Sequence, residues 1–113
     1  MIRYTTPILP LEVEGVDLTT NEDVYVTLVQ KLEQKSVELT KSGSDLTIQY
    51  DAEADISTIT FTLSQEETAA FNVNRAVDTQ VNFINSSGVR DATDIATIPV
   101  MRNLLDKVIN YGD

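Results

Sequence analysis

The sequence predicts an all-β protein, and three observations carry that prediction. Six or seven segments alternate apolar and polar residues, which is the period of a strand with one buried face. These segments lie about ten residues apart and are separated by turn residues. Two further segments have a helical character instead: a capping box in the second half and an apolar stripe at the end. Together they predict an immunoglobulin-like antiparallel β-sandwich with a short helix between strands and a C-terminal amphipathic helix; a partly open barrel is the alternative.

Residues 1–13 are predicted to form an extended arm or an edge strand. Pro7 and Pro10 lack the N–H group that a strand inside a sheet donates, so this segment is restricted to a sheet edge or to an unpaired position. Its apolar side chains nonetheless need cover, and they are Ile8, Leu9, Leu11 and Val13. They cover either the chain's own domain or a neighbouring subunit.

The first half of the chain is predicted to hold a central strand and a separate hairpin. Residues 24–30 carry bulky side chains on both faces, which favours a central position in a sheet. The charged segment 31–35 is then a solvated tip. Two short strands at 37–39 and 46–50 are predicted to pair with each other through a turn at 42–44.

An acidic segment follows, with carboxylates at alternate positions in Asp51, Glu53 and Asp55. A calcium loop uses that spacing because hard oxygen ligands must converge on one ion. The glycine expected at the sixth position is Ile56, however, and the glutamate expected at the twelfth is Thr62. We therefore expect a solvated acidic turn, with a calcium site as the alternative, and we expect no catalysis from these carboxylates.

Two segments of the second half show the clearest strand alternation. Apolar residues alternate with threonines over 58–63, and threonine suits the exposed face because it is β-branched and carries a hydroxyl. A second half-buried strand covers 77–83. Gly88 closes a polar turn in which a positive φ is needed, so the chain should reverse and return over 89–100, antiparallel to the strand before it.

Between those two strands the period changes to that of a helix. Ser64 and Glu67 have the spacing of a capping box, in which each side chain accepts the backbone N–H of the other residue. A helix of about two turns is predicted over 64–71. Ala70 and Phe71 should point inward.

The last segment, 101–110, is predicted to be an amphipathic helix that follows Pro99. Its apolar residues recur at helical spacing and form the predicted protein interface together with Ile8, Leu9 and Leu11 of the N-terminal arm. They are Met101, Leu104, Leu105, Val108 and Ile109. A helix of about ten residues is marginal alone, so it docks either on its own sandwich or on a partner, including another copy of the chain.

The composition argues against most catalytic and metal chemistry. The chain has 113 residues, which suits a single domain over 1–113, and it contains no Cys, His or Trp. Without Cys there are no disulfides and no thiolate metal sites, and without His the usual general base at neutral pH is missing. The sequence therefore predicts a protein that is not an enzyme, with no catalytic residues, no metal ligands and no cofactor.

The charge argues against nucleic acid and membrane as partners. Eighteen acidic residues stand against eight basic ones, a formal net charge of −10. Lys31, Lys35 and Lys41 form the one basic grouping, and Glu33 and Glu38 are interleaved with them. No apolar run approaches the roughly 20 residues that span a bilayer, and no signal segment is evident at the N-terminus.

The chain resembles a known group of proteins. The runs that carry the resemblance are MIRYTTPILPLEV, TFTLSQEETAAF, QVNFINSSGVRDAT, IPV and VMRNLLDKVI. They resemble short proteins encoded in the tail and baseplate region of prophages of Gram-positive bacteria. They are also similar, more distantly, to the N-terminal domain of phage upper baseplate proteins. The resemblance covers most of the chain and is loosest over 29–55.

The resemblance implies a structural or assembly role in a phage tail or baseplate, exercised through protein–protein contacts. The expected partners are other tail or baseplate proteins and further copies of the chain, with no nucleic acid and no membrane. The expected location is the cytoplasm of the bacterial host, or the virion after incorporation. A carbohydrate-binding β-sandwich module is the alternative function, and the tyrosines that could stack on a sugar are Tyr4, Tyr25, Tyr50 and Tyr111.

Overall fold

The protein is a sandwich of two antiparallel β-sheets, which confirms the predicted all-β class. The computed structural model describes residues 1–19, 23–85, 87–105 and 107–109. Its strands are β1 (Ile8–Glu14), β2 (Val24–Lys31), β3 (Ser36–Ser42), β4 (Thr47–Asp51), β5 (Ile56–Thr62), β6 (Val77–Ile84), β7 (Arg90–Ala92) and β8 (Ala96–Ile98). A short helix, α1 (Gln65–Ala69), lies between β5 and β6, and a single 3-10 turn covers Gly43–Asp45. Immunoglobulin-like detail within this class stays a prediction.

One sheet has three strands in the order β1-β5-β4. The strand at 58–63 is therefore central, and it buries Ile59 and Phe61 as the alternation predicted. β1 is an edge strand of this sheet, which confirms the edge-strand interpretation of the N-terminal segment. Leu9 and Leu11 of β1 turn inward and pack against the core of their own sandwich, whereas Ile8 stays exposed.

The other sheet has five strands in the order β3-β2-β6-β7, and β8 pairs with β6 as well. β2 lies between β3 and β6, which confirms its predicted central position. The predicted single strand over 89–100 is instead two short strands on the same side of β6. Gly88 lies in the turn before them with φ 77°, as the turn chemistry predicted.

The helix α1 begins where the capping box predicted it. The Ser64 hydroxyl accepts the Glu67 N–H at 3.1 Å, and a Glu67 carboxylate oxygen accepts the Ser64 N–H at 2.8 Å. The helix is shorter than predicted, since only Gln65–Ala69 are helical. Phe71 is buried as expected, but Ala70 is exposed, so that part of the prediction is wrong.

The predicted hairpin between the strands at 37–39 and 46–50 is wrong. β3 pairs with β2, and β4 pairs with β5, so these two strands belong to different sheets. The turn at 42–44 was correctly located, but it carries the chain from one sheet to the other. In this half of the chain the hairpins are β2–β3, whose tip is the charged 31–35 segment, and β4–β5, whose tip is the acidic segment 51–55.

The predicted C-terminal helix over 101–110 is also wrong, since none of the described residues in that range is helical. In a helix, the Met101 carbonyl would accept the Leu105 N–H. Here the Met101 carbonyl accepts the Arg3 N–H at 3.1 Å, and the Leu105 N–H donates to the Asn103 side chain at 3.0 Å. Both backbone groups that would begin the helix are therefore bonded elsewhere.

The core lies between the sheets and takes side chains from both. Its buried apolar members are Val13, Leu18, Val24, Val26, Leu28, Ile59, Phe61, Leu63, Phe71, Val77, Val81, Phe83 and Val100. The inward positions of β2, β5 and β6 supply most of them, as strand alternation requires. In the described part of the chain, no helix has the length and apolar character needed to cross a membrane.

Candidate interaction surface at the joined termini

The two terminal segments, which the sequence marked separately as apolar, lie side by side. Ile2 and Met101 form a parallel β-bridge. The Met101 N–H donates to the Met1 carbonyl at 2.6 Å, and the Met1 amino group donates to the Pro99 carbonyl at 2.9 Å. The N-terminal segment and the residues after β8 are thus held together by backbone hydrogen bonds.

Side chains extend this attachment on both sides of the N-terminal segment. The Asn103 amide donates to the Arg3 carbonyl at 3.0 Å. On the other side, the Arg3 guanidinium donates to the Ala69 carbonyl at 2.6 Å, and the Thr68 hydroxyl donates to the Thr5 carbonyl at 2.9 Å. The N-terminal segment therefore lies between the C-terminal segment and α1.

A buried glutamine fixes the far end of the C-terminal segment. The Gln65 amide donates to the Ile109 carbonyl at 2.7 Å, and its oxygen accepts the Ile109 N–H at 2.7 Å. Gln65 is only 7% exposed, so these bonds are shielded from competition by water. The segment is consequently attached at both ends without being helical.

The attached segment leaves large apolar side chains in water. We call the exposed set the terminal surface, and it consists of Ile2, Met101, Leu104, Leu105 and Ile109. Leu104 is the extreme case at 92% exposed. Burying one such side chain contributes about 1.5–3 kcal/mol. Large apolar patches that stay exposed on a folded protein are typical of interaction sites.

The structure brings together only part of the predicted interface. Met101, Leu104, Leu105 and Ile109 are exposed, and Val108 is half-buried. From the N-terminal arm, Leu9 and Leu11 contribute to the chain's own core and Ile8 alone is exposed. Ile2 was not predicted as part of the interface, because no pattern in the sequence indicates the parallel bridge that places it beside Met101.

Beside α1, an ion pair joins the helix to β3. Lys41 Nζ lies 2.9 Å from a Glu67 carboxylate oxygen, and both side chains are half-buried. Partial burial acts to raise the pKa of Glu67, but the Ser64 amide and the Lys41 ammonium outweigh it, so the pKa of Glu67 lies below its usual value. Glu67 thus serves the helix cap and the ion pair at once.

The acidic segment 51–55 uses its carboxylates to shape its own turn. Asp51 accepts the backbone N–H groups of Glu53 and Ala54 at 3.0 and 3.3 Å. The Tyr50 hydroxyl donates to an Asp55 oxygen at 2.6 Å, and this bond raises the pKa of Tyr50. Among the described residues, no group of three or more acidic side chains is placed to hold a metal ion.

A polar concavity lies on the outer face of the five-stranded sheet. It encloses about 420 Å³ beside Tyr25, which is 44% exposed, and includes the side chains of Asp23, Asn82 and Arg90. The Arg90 guanidinium donates to Asn82 at 3.1 Å. The pairing of Tyr25 with Asn82 across β2 and β6 brings these residues together, and strand register could not be read from the sequence.

The other tyrosines with a possible role in sugar binding are less well placed. Tyr4 is half-buried and has the Arg3 guanidinium 5.2 Å from its ring centroid. Tyr50 is half-buried and bonded to Asp55, and Tyr111 lies outside the described residues. Among the three described tyrosines, Tyr25 is therefore the one that combines an exposed ring with polar neighbours in a concavity. Compared with known protein families and with curated proteins, the chain matches no family model and no curated protein.

Proposed function

We propose that this chain is a non-enzymatic structural or assembly protein of a phage or prophage tail or baseplate, and that it works through protein–protein contacts. The terminal surface is the observation that carries the proposal. Its apolar side chains stand in water on a backbone that is attached at Met101 and at Ile109. A surface that is ordered before binding loses little conformational entropy when a partner covers it.

The partners in this proposal are other tail or baseplate proteins and further copies of the chain. The net charge of −10 supports protein partners over nucleic acid or anionic membrane. The absence of Cys and His from the sequence supports a role without catalysis. The protein is then made in the cytoplasm of a bacterial host and is incorporated into the particle.

The strand order supports an immunoglobulin-like version of the sandwich. We label β1 to β6 in chain order as B, C, C′, D, E and F, and we label β7 and β8 together as G. The two sheets then have the orders B-E-D and C′-C-F-G. That is the immunoglobulin order with the position of strand A unfilled by a described strand. In this arrangement β1 takes the role of strand B.

The test is incorporation into particles after prophage induction, measured by mass spectrometry. A variant carrying Leu104→Asp and Leu105→Asp should fold normally but be lost from the particles, because carboxylates cannot enter an apolar interface unpaired. Val89→Asp is the matched control, since Val89 is an exposed apolar residue away from the terminal surface. Wild-type incorporation of the double variant would contradict the role of this surface, and absence of the wild-type chain from particles would contradict a structural role in the virion.

The concavity beside Tyr25 favours carbohydrate binding as a second candidate function. An exposed aromatic ring with carboxylate, amide and guanidinium groups beside it suits the apolar face and hydroxyl groups of a sugar. Binding to purified cell-wall polysaccharide should be abolished by Tyr25→Ala and retained by Tyr25→Phe, which keeps the ring. Equal binding by the wild type and Tyr25→Ala, or no binding at all, would remove this candidate.

A further inference from the structure

The outer edge of β1 is unpaired by any described strand, and its hydrogen-bonding pattern can be derived from the register. The Leu63 N–H donates to the Pro7 carbonyl at one end of the β1–β5 ladder, and the Gly15 N–H donates to the Asp55 carbonyl at the other. The register between them is unbroken. In an antiparallel ladder the backbone groups of alternate residues face the partner strand. The residues whose N–H and C=O groups face away from β5 are therefore Ile8, Pro10, Glu12 and Glu14.

The position of Pro10 follows from this pattern. Because Pro10 is one of the outward-facing residues, its missing N–H costs the β1–β5 ladder nothing. It also blocks pairing along the first half of the edge. The second half still presents the N–H and C=O groups of Glu12 and Glu14.

The edge on the same side of the other sheet is interrupted. Asn82 of β6 pairs with Ala92 of β7, whereas Thr79 of β6 pairs with Ala96 of β8. The three residues 93–95 between β7 and β8 therefore lie opposite the two residues 80–81 of β6. This is a β-bulge, and Thr93 is fixed within it because its hydroxyl accepts the Val81 N–H at 3.1 Å. A bulge hinders the addition of another strand. β1 is thus the edge on this side that remains suited to pairing.

A groove of about 590 Å³ separates the two edges. Its volume lies within the range of about 300–1,000 Å³ that is usual for binding clefts. The apolar side chains that line it include Leu11, Val13, Val81 and Phe83. An incoming strand beside β1 would direct every second side chain into this groove.

The rim of this groove is acidic. Glu12 and Glu14 contribute carboxylates that project from the outer face of the three-stranded sheet, since Leu11 and Val13 point inward, and Asp91 and Asp94 contribute carboxylates from the opposite side; all four residues are exposed. The lining residues include no Lys or Arg. Charge complementarity therefore favours a basic segment, and a second copy of a chain with net charge −10 is disfavoured.

We propose that this groove is a strand-acceptor site, which binds one extended segment of a partner protein with Lys or Arg alternating with apolar residues. The segment pairs with Glu12 and Glu14 as an additional strand of the three-stranded sheet, in the position of the unfilled strand A. Its basic side chains lie beside the Glu12 and Glu14 carboxylates on the outer face of the sheet, and its apolar ones face the groove. The proposal rests on the protein-contact role proposed above and adds a site separate from the terminal surface.

The probe is a blocked synthetic peptide of about eight residues in which Lys alternates with Val and Thr. NMR of the full chain should show that the amides of Glu12 and Glu14 exchange freely without the peptide and become protected by roughly tenfold or more at saturation. Replacing Lys by Asp in the peptide, or methylating the backbone nitrogens that would face β1, should weaken binding by about tenfold or more. Equal binding of all three peptides, no binding of the Lys peptide, or shifts confined to other strands would overturn the proposal.

Two variants of the protein complete the test. Glu12→Pro removes one outward N–H and leaves the β1–β5 hydrogen bonds in place, so the fold should persist and peptide affinity should fall by about tenfold. The variant carrying Glu12→Lys and Glu14→Lys keeps both N–H groups and should remove the preference for the Lys peptide, because Asp91 and Asp94 are then the carboxylates left at the rim. A charge-reversed variant that still prefers the Lys peptide would contradict the site. Neither result depends on whether the chain enters phage particles, so this proposal and the proposed function fail separately.

Discussion

Gln65 and Ile109 are joined by a reciprocal pair of hydrogen bonds, both 2.7 Å long, between a side-chain amide and a backbone peptide group. Gln65 is also the first residue of α1, directly after the capping serine. The beginning of the helix and the end of the terminal surface are therefore fixed by one residue.

The first prediction concerns the attachment of the C-terminal segment. Gln65→Ala should accelerate hydrogen exchange at the Ile109 amide by roughly tenfold or more and lower the free energy of unfolding by about 1–2 kcal/mol. Gln65→Glu retains an acceptor for the Ile109 N–H but no donor for the Ile109 carbonyl. Its free energy of unfolding should therefore be lower than that of wild type, either between wild type and Gln65→Ala or below Gln65→Ala. Unchanged exchange at Ile109 in the Ala variant would show that other contacts fix the segment.

The second prediction concerns acid sensitivity and follows from Glu67. Its pKa in the folded state is below the unfolded value, so its contribution to stability is fully present above about pH 4.5 and is lost as the pH falls through the folded-state pKa. Glu67→Gln should therefore be less stable than wild type at neutral pH and lose less stability on acidification. Urea titrations at several pH values would measure this. Glu66→Gln, one residue away and exposed, is the control for the loss of one negative charge from the first turn of α1.

The third prediction concerns Gln30, which is completely buried at the end of β2. Its amide donates to the carbonyls of Asn72 and Arg75 at 2.6 and 2.7 Å, and its oxygen accepts the Asn72 N–H at 2.6 Å. Gln30→Leu should lower the free energy of unfolding by about 2–4 kcal/mol in denaturant titrations, because it leaves three backbone groups without partners. A loss below about 0.5 kcal/mol would mean that water replaces the glutamine.

The fourth prediction concerns Ser57, a completely buried serine in β5. Its hydroxyl donates to the Val16 carbonyl at 2.6 Å and accepts the Leu18 N–H at 2.9 Å, so it fixes the segment after β1 whose Leu18 side chain enters the core. Ser57→Ala should cost about 1–3 kcal/mol of unfolding free energy and increase proteolysis near residues 16–19. Ser57→Thr adds a methyl group at a site that has no exposed surface, so this variant should not recover the wild-type free energy of unfolding. Wild-type stability of the Ala variant would contradict this role.

The sequence predicted those features that depend on local chemistry. The capping box of Ser64 and Glu67 satisfies its own backbone groups, so its outcome did not depend on the rest of the chain. The buried face of β5 followed from alternation for the same reason. Even Gln30 carried a usable signal, since it continues the inward-facing positions of Val24, Val26 and Leu28 with a polar residue.

The features that were missed depend on partners distant in sequence. The turn at 42–44 marked where the chain bends but held no information on which strand β3 would pair with. The apolar spacing of 101–110 was helical, yet Arg3 and Gln65 bind backbone groups at the two ends of that segment. Asn103 is a residue that argued against a helix in this segment, because an asparagine side chain readily stabilises a turn instead.

The interleaving of the two sheets along the chain has a consequence for folding kinetics. The chain passes from one sheet to the other three times, between β1 and β2, between β3 and β4, and between β5 and β6. The β1–β5 and β2–β6 pairings each close a long loop before they gain stabilising contacts, which slows all-β domains to the range of about milliseconds to seconds. The five-stranded sheet takes strands from Val24 to Ile98, so it cannot be completed from a contiguous half of the chain. During synthesis, β1 and β2 therefore emerge well before the strands that cover them, and both remain exposed to aggregation until β5 and β6 leave the ribosome.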